Sequence, residues 1–194
     1  CIRIKTDDDF IYTCDVLIGA HGARGPVSRV VRGTLYGNPT FFALEAEVYT
    51  DELPIIERYS KTIFFDFGVI PFGYGWIFPK KDHLSVGVST MQDYHNLKFY
   101  LNTFLKLYGL YSKIRIKVLQ GHPVPIGGGK CKVQKGNILL VGDAAHVADP
   151  ITGEGIYFSI LSSTLASDVI SQYLTGSISS LKDYSEVFDE RINK

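Results

Sequence analysis

Residues 137–160 read NILLVGDAAHVADPITGEGIYFSI, and no other stretch restricts the fold as tightly. Ile138 to Val141 is a fully apolar run, which suits a strand covered on both faces, as parallel strands are. It ends at Gly142, and an acid, Asp143, follows at the strand's carboxyl end. Ligands of open α/β sheets bind at that edge, so Asp143 could accept hydrogen bonds from sugar-like hydroxyls. Thr152-Gly153-Glu154-Gly155 then opens a helix expected from about Gly153 to Leu174. Two glycines there let backbone approach a ligand. Free N–H groups and the positive end of the helix dipole favour a negatively polarised partner. The same residues also suit an ordinary strand–loop–helix with Thr152 as its cap, because glycine-rich turns are common.

The rest of the chain surrounds this segment with two kinds of pattern. Residues 1–6 and 10–13 alternate as two strands around an acidic turn, Asp7-Asp8-Asp9. Asp15 to Ala20 (DVLIGA) reads as a short buried parallel strand, and Val27 to Val31 as a short helix with Pro26 in its first turn. Residues 41–49, 62–70, 74–79 and 83–90 are rich in Phe, Tyr, Val and Ile, and predict an antiparallel sheet of about four strands. Residues 93–108 place Tyr94, Leu97, Leu101, Phe104, Leu105 and Tyr108 at helical spacing, with Asp93 as N-cap and Gly109 as stop. A strand at 114–120, a Gly/Pro-rich loop at 121–129 and a last helix at about 180–193 complete the reading.

The expected fold class is therefore α/β (mixed α+β). The expected domains are 1–35, an antiparallel substrate-binding domain at 36–125, and 126–194. The first and last together form one nucleotide-binding layer.

Charge and cysteine usage narrow the function. Twenty basic residues balance twenty acidic ones, so no net basic excess points to nucleic acid. Cys1, Cys14 and Cys131 are widely spaced, which fits neither a disulfide framework nor a metal site. A reducing, cytoplasmic location is the simpler expectation. No apolar run reaches the ~18–20 residues that span a bilayer. The sequence opens without Met on Ile2-Arg3-Ile4-Lys5, in mid-strand, so a fragment is expected.

The 137–160 segment, with its G-D-A-A, Asp149-Pro150 and T-G-E-G, resembles the second FAD-binding motif of the p-hydroxybenzoate hydroxylase superfamily, most closely the geranylgeranyl reductase branch. The resemblance implies an FAD-binding Rossmann-like domain with an inserted substrate domain. It implies that Asp143 holds the flavin ribityl chain and that backbone N–H groups near Gly153, Gly155 and Ile156 face the pyrimidine end of the isoalloxazine. Gly142, Asp143, Pro150, Gly153, Glu154, Gly155 and Ile156 are the cofactor-binding candidates. Reduced flavin is negative near N1 and O2, which suits a helix N-terminus.

Asp15 to Arg29 (DVLIGAHGARGPVSR) resembles the family's D-x-x-I-G-A-D-G motif followed by S-x-x-R. Two departures are noted: His21 stands for the aspartate and Gly25 for the serine. A neutral His21 can donate one hydrogen bond but supplies no carboxylate.

Tyr74-Gly75-Trp76-Ile77-Phe78-Pro79, with Gly87 downstream, resembles the branch's Y-x-W-x-F-P…G-x-G signature, in which Ser89 replaces the second glycine. Alternation puts Tyr74, Trp76 and Phe78 on one strand face. That row suits plain core. The resemblance implies instead that Tyr74, Trp76, Phe78, Pro79 and Gly87 line a cavity holding a prenyl chain against the flavin.

The function so implied is FAD-dependent reduction of prenyl C=C bonds. The electron donor would be NADPH or ferredoxin, the substrate a long apolar molecule, and the membrane a peripheral contact. No catalytic acid is identified. His146, common in hydroxylase relatives, supports an alternative aromatic-ring monooxygenase. The absence of the family's G-x-G-x-x-G, for which Gly127-Gly128-Gly129 lacks the spacing, supports either a fragment or a non-catalytic prenyl-binding module. His122, beside Pro123, is expected to be structural.

Overall fold

The computed structural model describes residues 1–33, 40–112, 114–127, 129 and 131–193. In chain order the elements are β1 (Ile2–Lys5), β2 (Ile11–Cys14), β3 (Leu17–Gly19), α1 (Pro26–Arg32), β4 (Thr40–Tyr49), α2 (Leu53–Tyr59), β5 (Phe64–Asp66), β6 (Gly73–Pro79), β7 (Leu84–Thr90), α3 (Leu97–Leu107), β8 (Arg115–Pro125), β9 (Gln134–Lys135), β10 (Ile138–Leu140), α4 (Ile156–Leu174) and α5 (Asp183–Arg191). Two units emerge: one joins Cys1–Pro39 to Pro125–Lys194, and the other is Thr40–Val124. The sequence reading placed a boundary at 35/36, which falls among residues 34–39, outside those described.

The first unit is built on β10. Its Ile138, Leu139 and Leu140 pair in parallel with Leu17, Ile18 and Gly19 of β3. On its other side β10 pairs antiparallel with β9. Leu139 and Leu140 are fully buried, with Val31 of α1, Ala166 and Val169 of α4, and Tyr184 and Phe188 of α5. Tyr184 satisfies its hydroxyl on the Leu140 carbonyl at 2.7 Å. The β1–β2 hairpin pairs Ile2 with Cys14 through Lys5 with Ile11. The DVLIGA stretch gives only three strand residues, and Ile18 is 47% exposed, so this strand is not the fully covered one its composition suggests. All three cysteines are free thiols.

The second unit is a five-stranded sheet in the order β5-β6-β7-β4-β8. Its register separates two faces. On one, Ile77, Val86, Val88, Leu44, Ala46 and Val48 pack with Leu101, Phe104 and Leu105 of α3. Phe104 presses so closely that a Cβ on Gly75 would lie 2.3 Å from its ring. The other face carries the aromatic row of β6.

Three expectations are corrected. The Gly/Pro-rich stretch from 121 is strand, not loop: β8 runs to Pro125. It ends the strand order among the described residues, where prolines are tolerated because an edge strand's outward N–H has no ladder partner to lose. His122 is thus an exposed residue of an edge strand. Asp93 is not a backbone cap. It is left-handed (φ 54°) ahead of a 3₁₀ turn at Tyr94–Asn96, and its carboxylate instead accepts from Asn96 Nδ2 and the Tyr100 hydroxyl. Helix α2 was not anticipated. No helix among the described residues is long and apolar enough to cross a membrane.

Candidate functional site

Beyond β10 the chain makes a tight 3₁₀ turn, Gly142–Ala145. Gly142 enters it at φ 58°, a left-handed backbone that costs a side chain roughly 1–2 kcal/mol. The turn is fastened from two directions. Ser162 of α4 accepts the Gly142 N–H at 3.0 Å. Arg32 of α1 donates to the Ala144 carbonyl at 2.7 Å.

Asp143 sits between these anchors, half-buried. Its carboxylate has no hydrogen-bond partner among the described residues, and burial pushes its pKa above the ordinary value. A Cβ on Gly155 would lie 3.5 Å from Asp143 Oδ1, so the acid faces the start of α4.

The loop before α4 is closed on itself. Asp149 Oδ1 accepts from the Ile151 and Thr152 N–H groups and from the Thr152 hydroxyl. Burial works against the Asp149 carboxylate, but the Thr152 and Ile151 bonds outweigh it and hold its pKa low. The Gly153 N–H donates to the Asp149 carbonyl at 2.9 Å, so it is not free for a ligand. Thr152 is not the helix cap: Gly155 holds that position, and Glu154 Oε1 accepts the Tyr157 N–H at 2.9 Å. The N–H groups of Gly155 and Ile156 have no partner among the described residues, and Ile156 is 78% exposed. Pro150 lies on the wall of a cavity of about 410 Å³ with Ala148, Phe158 and Arg191. Gly142, Asp143, Gly155 and Ile156 therefore share one place, while Gly153 and Glu154 shape the loop beside it.

The site fits a polyol joined to an electron-rich ring. An unpaired carboxylate can accept from hydroxyls, and two unpaired N–H groups at the positive end of a 19-residue helix can donate to a partial negative charge.

In the second unit Tyr74, Trp76 and Phe78 do share a face, with ring centroids 5.9 and 6.1 Å apart. Opposite them on β7 stand Ser89, Gly87 and Ser85. The rings lie down over this column of small residues. A Cβ on Gly87 would be 2.1 Å from the Trp76 ring, so the indole itself fills the space that the glycine leaves. Trp76 Nε1 donates to Ser85 Oγ at 3.3 Å. Tyr74 and Trp76 are each 7% exposed. Phe65 of β5 closes the row against Tyr74 and Phe78. Pro79 ends β6 opposite Leu84.

Two features escaped the sequence reading. With serine expected at 25, the S-x-x-R pattern puts arginine at 28, where this chain has Ser28; there are three departures, not two. Arg32 was passed over because only the fold brings it to the Ala144 carbonyl. His146, left-handed at φ 61°, is 1% exposed, and neither ring nitrogen has a partner. Burial, helped by the Arg32 charge, lowers its pKa to about 4. It is a neutral packed ring.

Comparison with known proteins agrees with this geometry. Residues 130–192 match the model of an FAD binding domain family. An uncharacterized protein of Methanosarcina barkeri is 39% identical over 181 residues, covering 90% of this chain and 44% of that protein. A chloroplastic geranylgeranyl diphosphate reductase of Nicotiana tabacum is 31% identical over 157 residues, covering 80% of this chain and 33% of the reductase. The chain thus spans less than half the length of these relatives. Among solved structures, a geranylgeranyl bacteriochlorophyll reductase-like protein of Thermoplasma acidophilum superposes with a TM-score of 0.79 at 24% identity, over 98% of this chain and 53% of that one.

Proposed function

We propose, for a chain that belongs to the geranylgeranyl-reductase-like FAD oxidoreductases, that it forms the flavin-facing and substrate-facing parts of an enzyme that reduces C=C bonds of a prenyl chain. The observation that carries this reading is the unpaired, half-buried Asp143 facing the bare N-terminus of α4. Bound FAD, once reduced, supplies the hydride that such a reduction requires. The protein's own share is to hold and orient. Asp143 accepts from the ribityl hydroxyls, and the Gly155 and Ile156 N–H groups stabilise negative charge on the ring's pyrimidine end. Pro150, Gly153 and Glu154 keep the loop in shape around that contact.

Tyr74, Trp76 and Phe78, with Pro79, form the apolar surface assigned to the substrate, and Gly87 makes room for the Trp76 ring. NADPH or ferredoxin is the donor, and contact with the membrane is peripheral, as a long apolar substrate favours. The 194 residues contain no G-x-G-x-x-G, the turn that grips the pyrophosphate of a dinucleotide.

The test is the whole protein, purified and examined for flavin absorbance, then supplied with reductant and a geranylgeranyl substrate. Bound flavin and addition of H₂ across prenyl double bonds, seen by mass spectrometry, are expected. A colourless whole protein, or flavin without prenyl reduction, would remove the corresponding half of the proposal. In a fluorescence titration with FAD, the 194-residue chain alone should bind weakly.

A further inference from the structure

Helix α1 is capped by a residue from outside it. Gly25 holds the N-cap position and has no side chain to accept a bond from the first turn. With Pro26 first, Ser28 is third, and its N–H is the one an N-cap serine would satisfy. That N–H donates instead to His21 Nε2 at 3.3 Å. His21 Nδ1 lies 3.1 Å from the Gly22 carbonyl, so the network assigns the proton to Nδ1 and the lone pair to Nε2. The ring occupies the volume an N-cap side chain would need: a Cβ on Gly25 would be 2.1 Å from His21 Nδ1. Ser28, fully buried, also places its hydroxyl 3.4 Å from the Ala144 carbonyl. Arg32, one turn later, donates to the same oxygen.

We infer that His21, Gly25 and Ser28 are one coupled substitution, and that His21 is a positioning residue for Asp143. The three positions are those at which the chain departs from D-G…S-x-x-R. Histidine takes over the cap that a serine at 25 would make, and glycine at 25 makes room for it. The helix so fixed presents Ser28 and Arg32 to the Ala144 carbonyl, which sets the turn that carries Asp143. This role rests on the assignment of Asp143 to the flavin; the coupling between 21 and 25 does not.

The experiment is a double-mutant cycle in the whole flavin-loaded protein, with His21→Ala, Gly25→Ser, His21→Ala/Gly25→Ser and, in parallel, Asp143→Ala. Thermal stability and flavin dissociation are both read. Each single change is expected to weaken flavin retention about 5-fold, the loss of one helix cap. The double variant, whose introduced serine can cap α1 in the ordinary way, should return to within about 2-fold of the parent. The ¹⁵N resonances of His21 should report an unprotonated Nε2. Additive losses in the double variant, or a protonated Nε2, would overturn the coupling. Coupling seen in stability alone, with flavin retention unmoved by the single changes while Asp143→Ala loses flavin, would overturn the positioning role. If Asp143→Ala retains flavin, the Asp143 assignment itself fails, and the stability cycle still decides the cap.

Discussion

The unit at Thr40–Val124 and the unit joining Cys1–Pro39 to Pro125–Lys194 are held together differently. The former is continuous in sequence. Its long strands pair residue by residue, seven of β4 with seven of β7, and its core residues Ala46, Val48, Ile77, Val86, Val88 and Phe104 are wholly buried. The latter pairs short strands from distant parts of the chain, as Leu17 with Ile138. Large apolar side chains reach the surface in both units, Phe10 and Ile156 in the latter and Leu53, Ile63 and Phe99 in the former, so exposure does not separate them. What does is that the latter keeps polar groups without partners, His146 and Arg32 Nε in the interior and Asp143 at the site. Packing dominates one unit and unmet polar demand the other. A ligand has most to satisfy where the protein has satisfied least.

Four measurements sharpen or break that contrast. Trp76→Ala should cost roughly 3–5 kcal/mol of stability, since the indole is buried and fills the space over Gly87. Denaturant unfolding with flavin content checked decides it; a small loss would mean that the indole carries little of the unit's packing.

Acidification should act mainly on the first unit. His146 has its pKa lowered to about 4, so the folded state resists a proton that the unfolded chain takes up near 6.5. Stability is then full above that value and falls by roughly 3 kcal/mol as pH drops to about 4. Asp143, whose pKa burial raises, is relieved by protonation and offsets part of the loss at the acid end. Hydrogen exchange at 138–146 against 84–90, across that range, reads the difference. His146→Asn, which tolerates the left-handed backbone, should abolish the slope.

Asp143→Ala should weaken flavin retention about 10- to 150-fold, roughly 1.5–3 kcal/mol, without loss of fold. Equilibrium dialysis against FAD, alongside a melting curve, tests both halves.

The smallest effect belongs to the second unit. Burial works against the Asp66 carboxylate, but bonds from the Tyr108 hydroxyl and the Gly68 and Val69 N–H groups outweigh it and hold its pKa down. Stability from Asp66 is therefore present above the ordinary carboxylate pKa and is lost only as pH falls below it. Asp66→Asn should cost about 1 kcal/mol at neutral pH, and exchange at 64–78 should not change between pH 6.5 and 4.

What could be read from sequence was local. The apolar run of β10, the glycine-acid turn, the alternating aromatics and the face of Leu101, Phe104 and Leu105 follow from spacing alone. Most of what escaped depended on partners far along the chain. Pro123 and Pro125 read as loop because nothing local says that their strand lies at an edge. Thr152 and Asp93 escaped for a local reason: they have the composition of caps, but Thr152 is bound by Asp149 and the Asp93 carboxylate by Asn96 and Tyr100. The Gly25 departure became intelligible only when the His21 ring was found in its space, and Arg32 only when Ala144 was found beneath it.

The prolines of β8 have a consequence beyond the fold of one molecule. An outermost strand is a template on which another polypeptide can add itself, the first step toward fibrils and precipitates. Pro123 and Pro125 have no amide hydrogen to offer, and β5, at the far side of the sheet, is only three residues long. An intruding strand finds an interrupted ladder on one flank and too short a one on the other. Among the described residues, neither edge of this sheet thus offers a long uninterrupted ladder for self-association.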